Sequence, residues 1–294
     1  MREDMALMNG AIDMHIHSSP SLFPRLVDHV EAAEGARGFN MRAVVLKEHH
    51  GYTSDRMYFV RKLVNGIDVF GGVVLNNAVG GINPFAVDAA VKLGAKIVWL
   101  PTISAKNHLD QMGTPDFGNS MQLADKAKLQ EKPITVFDEK GHLIPEVYEV
   151  IDLVAEADIM LASGHLSIPE AKAVFKTARE RGVKRMYLNH PEYIINGTVE
   201  EQKDLADMGV FIEHLAIFMF PMWPTTCGLD GVIEMIRAVG PQRTVLATDL
   251  GQVHNPPPAE GMRMFMRVLL EKGIPFGDLE IMVKNNPRFL LNIN

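Results

Sequence analysis

Residues 11–20 read AIDMHIHSSP. An apolar run carries two histidines, His15 and His17, at its downstream end, and Ser-Ser-Pro then breaks it. In an extended strand, side chains at i and i+2 share a face, so both imidazoles project together from the strand's C-terminal end. A spacing of two also arises by chance, so the stretch takes its meaning from what surrounds it.

The same construction recurs along the chain. Short runs rich in Val and Ile lie in MRAVVLKEHH (41–50), IDVFGGVVLNN (67–77), AKIVWLPT (95–102), ADIMLASGH (157–165), VKRMYLNHPE (183–192), GVFIEHLAI (209–217) and PQRTVLATDLG (241–251). Continuous apolar runs of this length are what strands buried on both faces of a parallel sheet require. Between them lie helical stretches, among them Leu26 to Arg37 closed by Gly38, Ser54 to Asn65, Pro84 to Leu93 and Pro258 to Lys272. A last helix runs from Gly277 towards the C-terminus. Eight strand–helix units in 294 residues predict a single α/β domain, residues 1–294, folded as a (β/α)8 TIM-like barrel. The competing doubly wound sheet lacks its glycine-rich phosphate fingerprint, which neither LASGHLS nor VLNNAVGG supplies.

One segment departs from the rhythm. Residues 102–157, between the fourth and fifth strands, form a long β4–β5 insertion. It holds a loop-like part (NHLDQMGTPDFGNSMQ), an expected hairpin turning at Glu139-Lys140-Gly141 and a helix from Pro145. Long loops in compact domains are commonly functional, so this one is expected to act as a lid.

Of the eleven histidines, seven (15, 17, 49, 50, 165, 190 and 214) fall at the end of an expected strand. Such windows cover about a tenth of the chain, so a random scatter would put about one there. In a (β/α)8 barrel all strand C-termini open on one face, where these barrels carry out chemistry. Neutral imidazoles converging there, with the Asp249 carboxylate ending the eighth strand, form a donor set for a divalent metal. His29 reads as an ordinary surface residue of the first helix, and His108, His142 and His254 as loop residues whose one expected site role is as lid contacts.

The ordered set His15-Ile16-His17, His165, His190 and Asp249, with the closing KNNPRFLLN, resembles the amidohydrolase superfamily of metal-dependent hydrolases. The resemblance implies that His15, His17 and Asp249 bind one metal. His165 and His190 would bind a second or position the attacking water, and Asp249 would also take that water's proton. The cofactor is then one or two divalent ions, Zn first, with Mn, Fe or Ni as alternatives. The implied reaction is hydrolysis of an amide, cyclic amide, ester or lactone in a small molecule. Decarboxylation on the same framework is the nearest alternative, and a non-catalytic ligand-binding barrel the alternative of another class. The third and fourth strands end without the bridging carboxylate or lysine of binuclear members. Lys47 and Glu213 are the nearest substitutes, with Lys47 either carboxylated and bridging two metals or free and binding a substrate carboxylate or phosphate, and His49 shares the face of Lys47.

A net charge of −7 argues against nucleic acid as a partner. No run reaches the length of a membrane span, the start MREDMALMNG lacks a signal-peptide pattern, and one cysteine, Cys227, excludes an internal disulfide. A cytoplasmic protein is expected. The apolar stretch FMFPMWPTT (218–226) reads either as a pocket wall or as a subunit contact of a homo-oligomer.

Overall fold

The computed structural model describes residues 2–114, 129–220 and 227–293. The chain enters through a helix the sequence did not announce, α1 (Glu3–Met8), and then forms β1 (Ile12–His17). β2 (Ala43–Lys47), β3 (Asp68–Phe70), β4 (Gly72–Val74), β5 (Ile97–Trp99), β6 (Met160–Ala162), β7 (Met186–Leu188), β8 (Phe211–Leu215) and β9 (Thr244–Ala247) follow. All pairings between neighbouring strands are parallel, in the orders β1-β2-β3 and β4-β5-β6-β7-β8-β9. The expected eight staves are present, but the third is broken in two: β3 pairs with β2 and β4 with β5. The break falls at Gly71-Gly72, where a Cβ on Gly72 would stand 1.9 Å from the Ile97 carbonyl oxygen. That approach is too close for any side chain, so the paired glycines let one stave change neighbours.

The ends of the sheet meet. Asp249 N–H donates to His15 O and His17 N–H to Leu250 O, both at 2.8 Å, and Ile16 bridges Leu250 in parallel. The first and last staves therefore close the (β/α)8 barrel. Along β1 and β2, His17 lies in register with Lys47.

The helices cover the outside: α2 (His29–Gly38), α3 (Met57–Leu63), α4 (Pro84–Lys92), α6 (Pro145–Ala157), α7 (Ile168–Glu180), α8 (Val199–Asp207), α9 (Gly228–Val239) and α10 (Pro258–Glu271), whereas α5 (Lys106–Met112) lies at the mouth. α2 starts at His29 rather than Leu26 because Asp28 caps it, accepting from Val30 N and Glu31 N while Glu31 caps back. α3 is shorter than the expected Ser54–Asn65. The C-terminal stretch runs as α11 (Phe276–Glu280), a π-helical turn (Ile281–Asn285) and α12 (Asn286–Leu291). Asn286 donates to the carbonyls of Pro241 and Thr244, pinning the end of the chain to the approach to β9.

After β5 the chain forms α5, and Ala105, immediately before that helix, bridges Ile134. At the expected hairpin there is a tight turn with one bridge, Phe137–Leu143, closed by Asp138, whose carboxylate accepts from Lys140 N and His142 N. The Asp138 cap makes the reversal without flanking strands. α6 packs between α4 and α7 as a regular outer helix. Of the apolar stretch 218–226, residues 221–226 lie outside the described residues.

Candidate metal centre

Eight parallel staves direct their C-terminal ends to one mouth, and five of the histidines singled out above, His15, His17, His49, His165 and His190, meet there. Asp249 Oδ1 stands 3.1 Å from His15 Nε2 and 3.0 Å from His17 Nε2. One ligand atom from each of these three residues lies within 4.8 Å of the other two. Donors bound to one ion at about 2.1 Å stand roughly 3–4 Å apart, so the spacing fits a single cation.

The surroundings of His15 sharpen that fit. Its Nδ1 donates to Glu213 Oε1 at 3.0 Å, fixing the tautomer and turning the Nε2 lone pair towards Asp249 Oδ1. Two facing acceptors need a positive charge between them or beside them. Lys47 supplies one from the side, with Nζ 3.1 Å from His15 Nε2. Burial pushes Lys47 down to about 8, against the pull of Asp249 and Glu213. His17 keeps its Nδ1 buried with no hydrogen-bond partner.

Glu213 sits beneath the centre, fully buried. Its Oε1 accepts from His15 and from Tyr187 OH (2.8 Å), and its Oε2 from Asn189 Nδ2 (2.9 Å) and His190 N (3.2 Å). Burial opposes its charge, but His15, His190 and Asn189 outweigh that and hold the carboxyl down to about 2. Four donors occupy it from below, so Glu213 grips the imidazole's far nitrogen instead of bridging ions. A second buried carboxyl, Asp13, binds Thr248 Oγ1 (2.6 Å) and the backbone N–H groups of His15 and Thr248. Burial pushes Asp13 up to about 7 against these bonds.

Around the triad the imidazoles form a continuous array. His49 stacks on His17 with ring centroids 4.8 Å apart, and its Nδ1 meets Thr102 Oγ1 at 2.8 Å. His165 and His190 are 5.0 Å apart, and His190 is 6.1 Å from His15. Burial lowers the pKa of His17, His49, His165 and His190, keeping them in the neutral form that ligates metals. Lys47 and His49 both face the cavity, whereas His50 turns to Glu48. His214 lies apart, paired with Glu192 at 3.4 Å.

Two histidines depart from expectation. His29 is buried and not a surface residue, because Ser18 Oγ meets its Nδ1 at 2.6 Å. His108, carried by α5 from the loop after β5, stacks on His165 at 4.8 Å with Nδ1 to Nδ1 at 2.8 Å. No spacing rule pointed to it.

The mouth's geometry depends on the β9–α10 turn. Asp249 has φ +53°, and Gly251 has φ +131° with its Cα facing the His17 carbonyl. A Cβ on Gly251 would lie 1.6 Å from that oxygen, so only glycine lets the turn close against β1. Above the centre opens a cavity of about 550 Å3, lined among others by Phe23, Arg25, Lys47, His108, Tyr193 and Phe218.

Solved structures share this architecture from end to end. An amidohydrolase from Pseudomonas aeruginosa aligns over 98% of this chain and 98% of its own at 15% identity, TM-score 0.60. A "probable dipeptidase" from the same organism aligns over 99% and 98% at 12% identity, TM-score 0.65. A mutant of a phosphotriesterase-like lactonase from Deinococcus radiodurans aligns over 97% of each chain at 11% identity, TM-score 0.59. The fold is thus that of amidohydrolase and phosphotriesterase-like barrels. By sequence the chain belongs to DUF6282, a family of unknown function, whose model matches residues 10–213. No curated protein matches it in sequence.

Proposed function

We propose that this chain is a metal-dependent hydrolase of small molecules. The observation that carries the reading is the convergence of His15, His17 and Asp249, from opposite ends of the sequence, at the floor of an open cavity. These three residues would hold a divalent ion; Zn suits imidazole with carboxylate, as do Mn, Fe and Ni. When bound, such an ion supplies a nucleophilic hydroxide near neutral pH and polarises the bond under attack. Asp249 takes the proton of the attacking water and passes it to the leaving group. Lys47, buried beside His15, contributes positive charge where negative charge develops on the substrate. His165 and His190 face the same cavity, where they would hold a second ion or orient the water. Glu213 keeps His15 in its ligating tautomer.

The bond cleaved is an amide, cyclic amide, ester or lactone. The similar structures named for amidohydrolase, dipeptidase and lactonase support this range. No described helix is long and apolar enough to cross a membrane, and a cytoplasmic setting is part of the same proposal.

Elemental analysis of protein purified without chelators tests the reading, alongside the double variant His15→Ala/His17→Ala and a panel of lactones, cyclic amides, esters and dipeptides. Wild type is expected to hold one or two equivalents of metal and to hydrolyse a member of the panel, and the variant to lose both. Wild type that takes up no divalent ion overturns the proposal. Two equivalents would assign His165 and His190 to a second ion.

A further inference from the structure

The cavity wall carries a charge that the reaction just proposed does not use. Arg25, on the β1–α2 loop, lines the cavity with Lys47 and Asp249. Its Nε is buried with no hydrogen-bond partner, and among the described residues its guanidinium has no ion-pair or hydrogen-bond partner. Glu48 and Asp249 act on it only at longer range. A buried polar atom without a partner calls for an explanation, and the Arg25 Nε is one, on a half-buried side chain.

Nor is the residue's backbone loose. Arg25 pairs through its backbone with Gln252 in an antiparallel bridge, and Leu26 N–H donates to Gly251 O at 2.8 Å. Both contacts fasten the residue to the turn that carries Asp249. The Phe23 ring lies 5.3 Å from the guanidinium carbon and supports it by a cation–π contact. A planar fork held in place beside the reaction centre is built to take a carboxylate or phosphoryl group by paired hydrogen bonds. The rest of the lining agrees in sign. Its charged residues are Arg25, Lys47 and Asp249, so Asp249 is the one carboxylate among the described lining residues. An ion held at Asp249 would leave the pocket cationic in a protein of net charge −7.

We propose that Arg25 binds an anionic group of the substrate, a carboxylate or phosphoryl set apart from the bond being cleaved. Arg25 is then the residue that selects among the esters, lactones and amides that fit the cavity. This inference rests on the hydrolase reading for the reaction, but the anion contact is measurable by itself.

Isothermal titration of the metal-loaded full chain with glutarate, inorganic phosphate and neutral glutaramide provides the test, for wild type, Arg25→Gln and Arg25→Lys. Any ion in the cavity attracts anions too, so the difference between wild type and variant isolates Arg25. Arg25→Gln is expected to weaken glutarate or phosphate by about tenfold to a hundredfold, the range for a lost charge-assisted contact. Arg25→Lys should weaken it less, and glutaramide should change by less than about twofold. Loss confined to glutarate assigns a carboxylate; loss confined to phosphate assigns a phosphoryl group. Wild type that binds neither anion overturns the proposal. So do variants with wild-type melting temperature and metal content that bind both anions as wild type does. If the chain holds no metal yet binds an anion through Arg25, the hydrolase reading fails and the anion site stands. Metal and hydrolysis without Arg25 dependence give the reverse.

Discussion

Replacing Glu213 by glutamine preserves shape and removes only charge and one acceptor, which makes it the sharpest probe of the buried scaffold. The amide has two ways to sit. With its oxygen towards His15 and Tyr187, its NH2 faces Asn189 Nδ2 and His190 N–H, which formerly gave to Oε2. Asn189 cannot turn over to help, because its Oδ1 already accepts from Gly164 N at 3.0 Å. Two buried donors are then stranded, at about 1–3 kcal/mol each, so this pose costs about 2–6 kcal/mol of stability. With the amide reversed, its NH2 faces His15 Nδ1 and drives the proton to Nε2. Tyr187 rotates to accept, stability is largely kept, and His15 loses the lone pair that faces Asp249. That pose lowers metal affinity by about 10–100-fold. The assay pairs metal titration against a chromophoric chelator with denaturant unfolding of the metal-free protein. At least one of the two quantities must fall. A variant within about twofold in metal affinity and about 0.5 kcal/mol in stability refutes the role given to Glu213.

Other perturbations reach the rest of the framework. Thr248→Val removes the 2.6 Å donor to buried Asp13 and should cost about 1–3 kcal/mol in denaturant unfolding; an unchanged midpoint contradicts the Asp13–Thr248 link. Gly251→Ala places a Cβ 1.6 Å from the His17 carbonyl oxygen. It should cost at least the roughly 1–3 kcal/mol of overpacking and reduce metal content, so wild-type melting and metal loading would count against the close-approach reading. Chelation should lower the melting temperature: an ion at a hundred times its Kd stabilises by about 2.7 kcal/mol, so an unshifted melt would speak against a folded-state metal site. On the far side, burial favours protonated Asp4, but hydrogen bonds from Arg2 and Arg263 outweigh it and hold the carboxyl below 3.8. A depressed acid stabilises the fold above its unfolded pKa and loses that contribution as pH falls through its lower folded value. Asp4→Asn should therefore lose stability at neutral pH and flatten the acid limb below about pH 4, read by denaturant unfolding across pH.

Much of the barrel was written in apolar runs, because strands buried on both faces have little freedom to carry anything else. The divided third stave was not. Phe70-Gly71-Gly72-Val73 reads as one strand, and only the proximity of the Ile97 carbonyl shows why pairing switches there. α1 escaped because six residues give too short a period. At the site, His15, His17 and Asp249 were legible from residue type and position at strand ends. Their supports were less so: Tyr187, Asn189 and Thr248 are ordinary residues whose task depends on which neighbour faces them. Asp13 did carry a signal, since a carboxylate two residues before His15 in an apolar strand has no solvent to face. Arg25 comes from a loop and His108 from the short helix α5, neither of which offers a periodic spacing long enough to be read.

The contact between β1 and β9 places the metal triad across the one seam where the two ends of the sheet join. Asp13 and Thr248, bonded across it, are 235 positions apart in the chain. A protein growing from its N-terminus therefore exposes His15 and His17 long before their carboxylate partner exists. No emerging fragment holds the triad complete, so tight capture of the proposed ion would wait until the last stave has docked. An ion bound as proposed would act as a clasp, taking hold only of a finished ring and resisting its reopening at the strand pair with the longest loop to close.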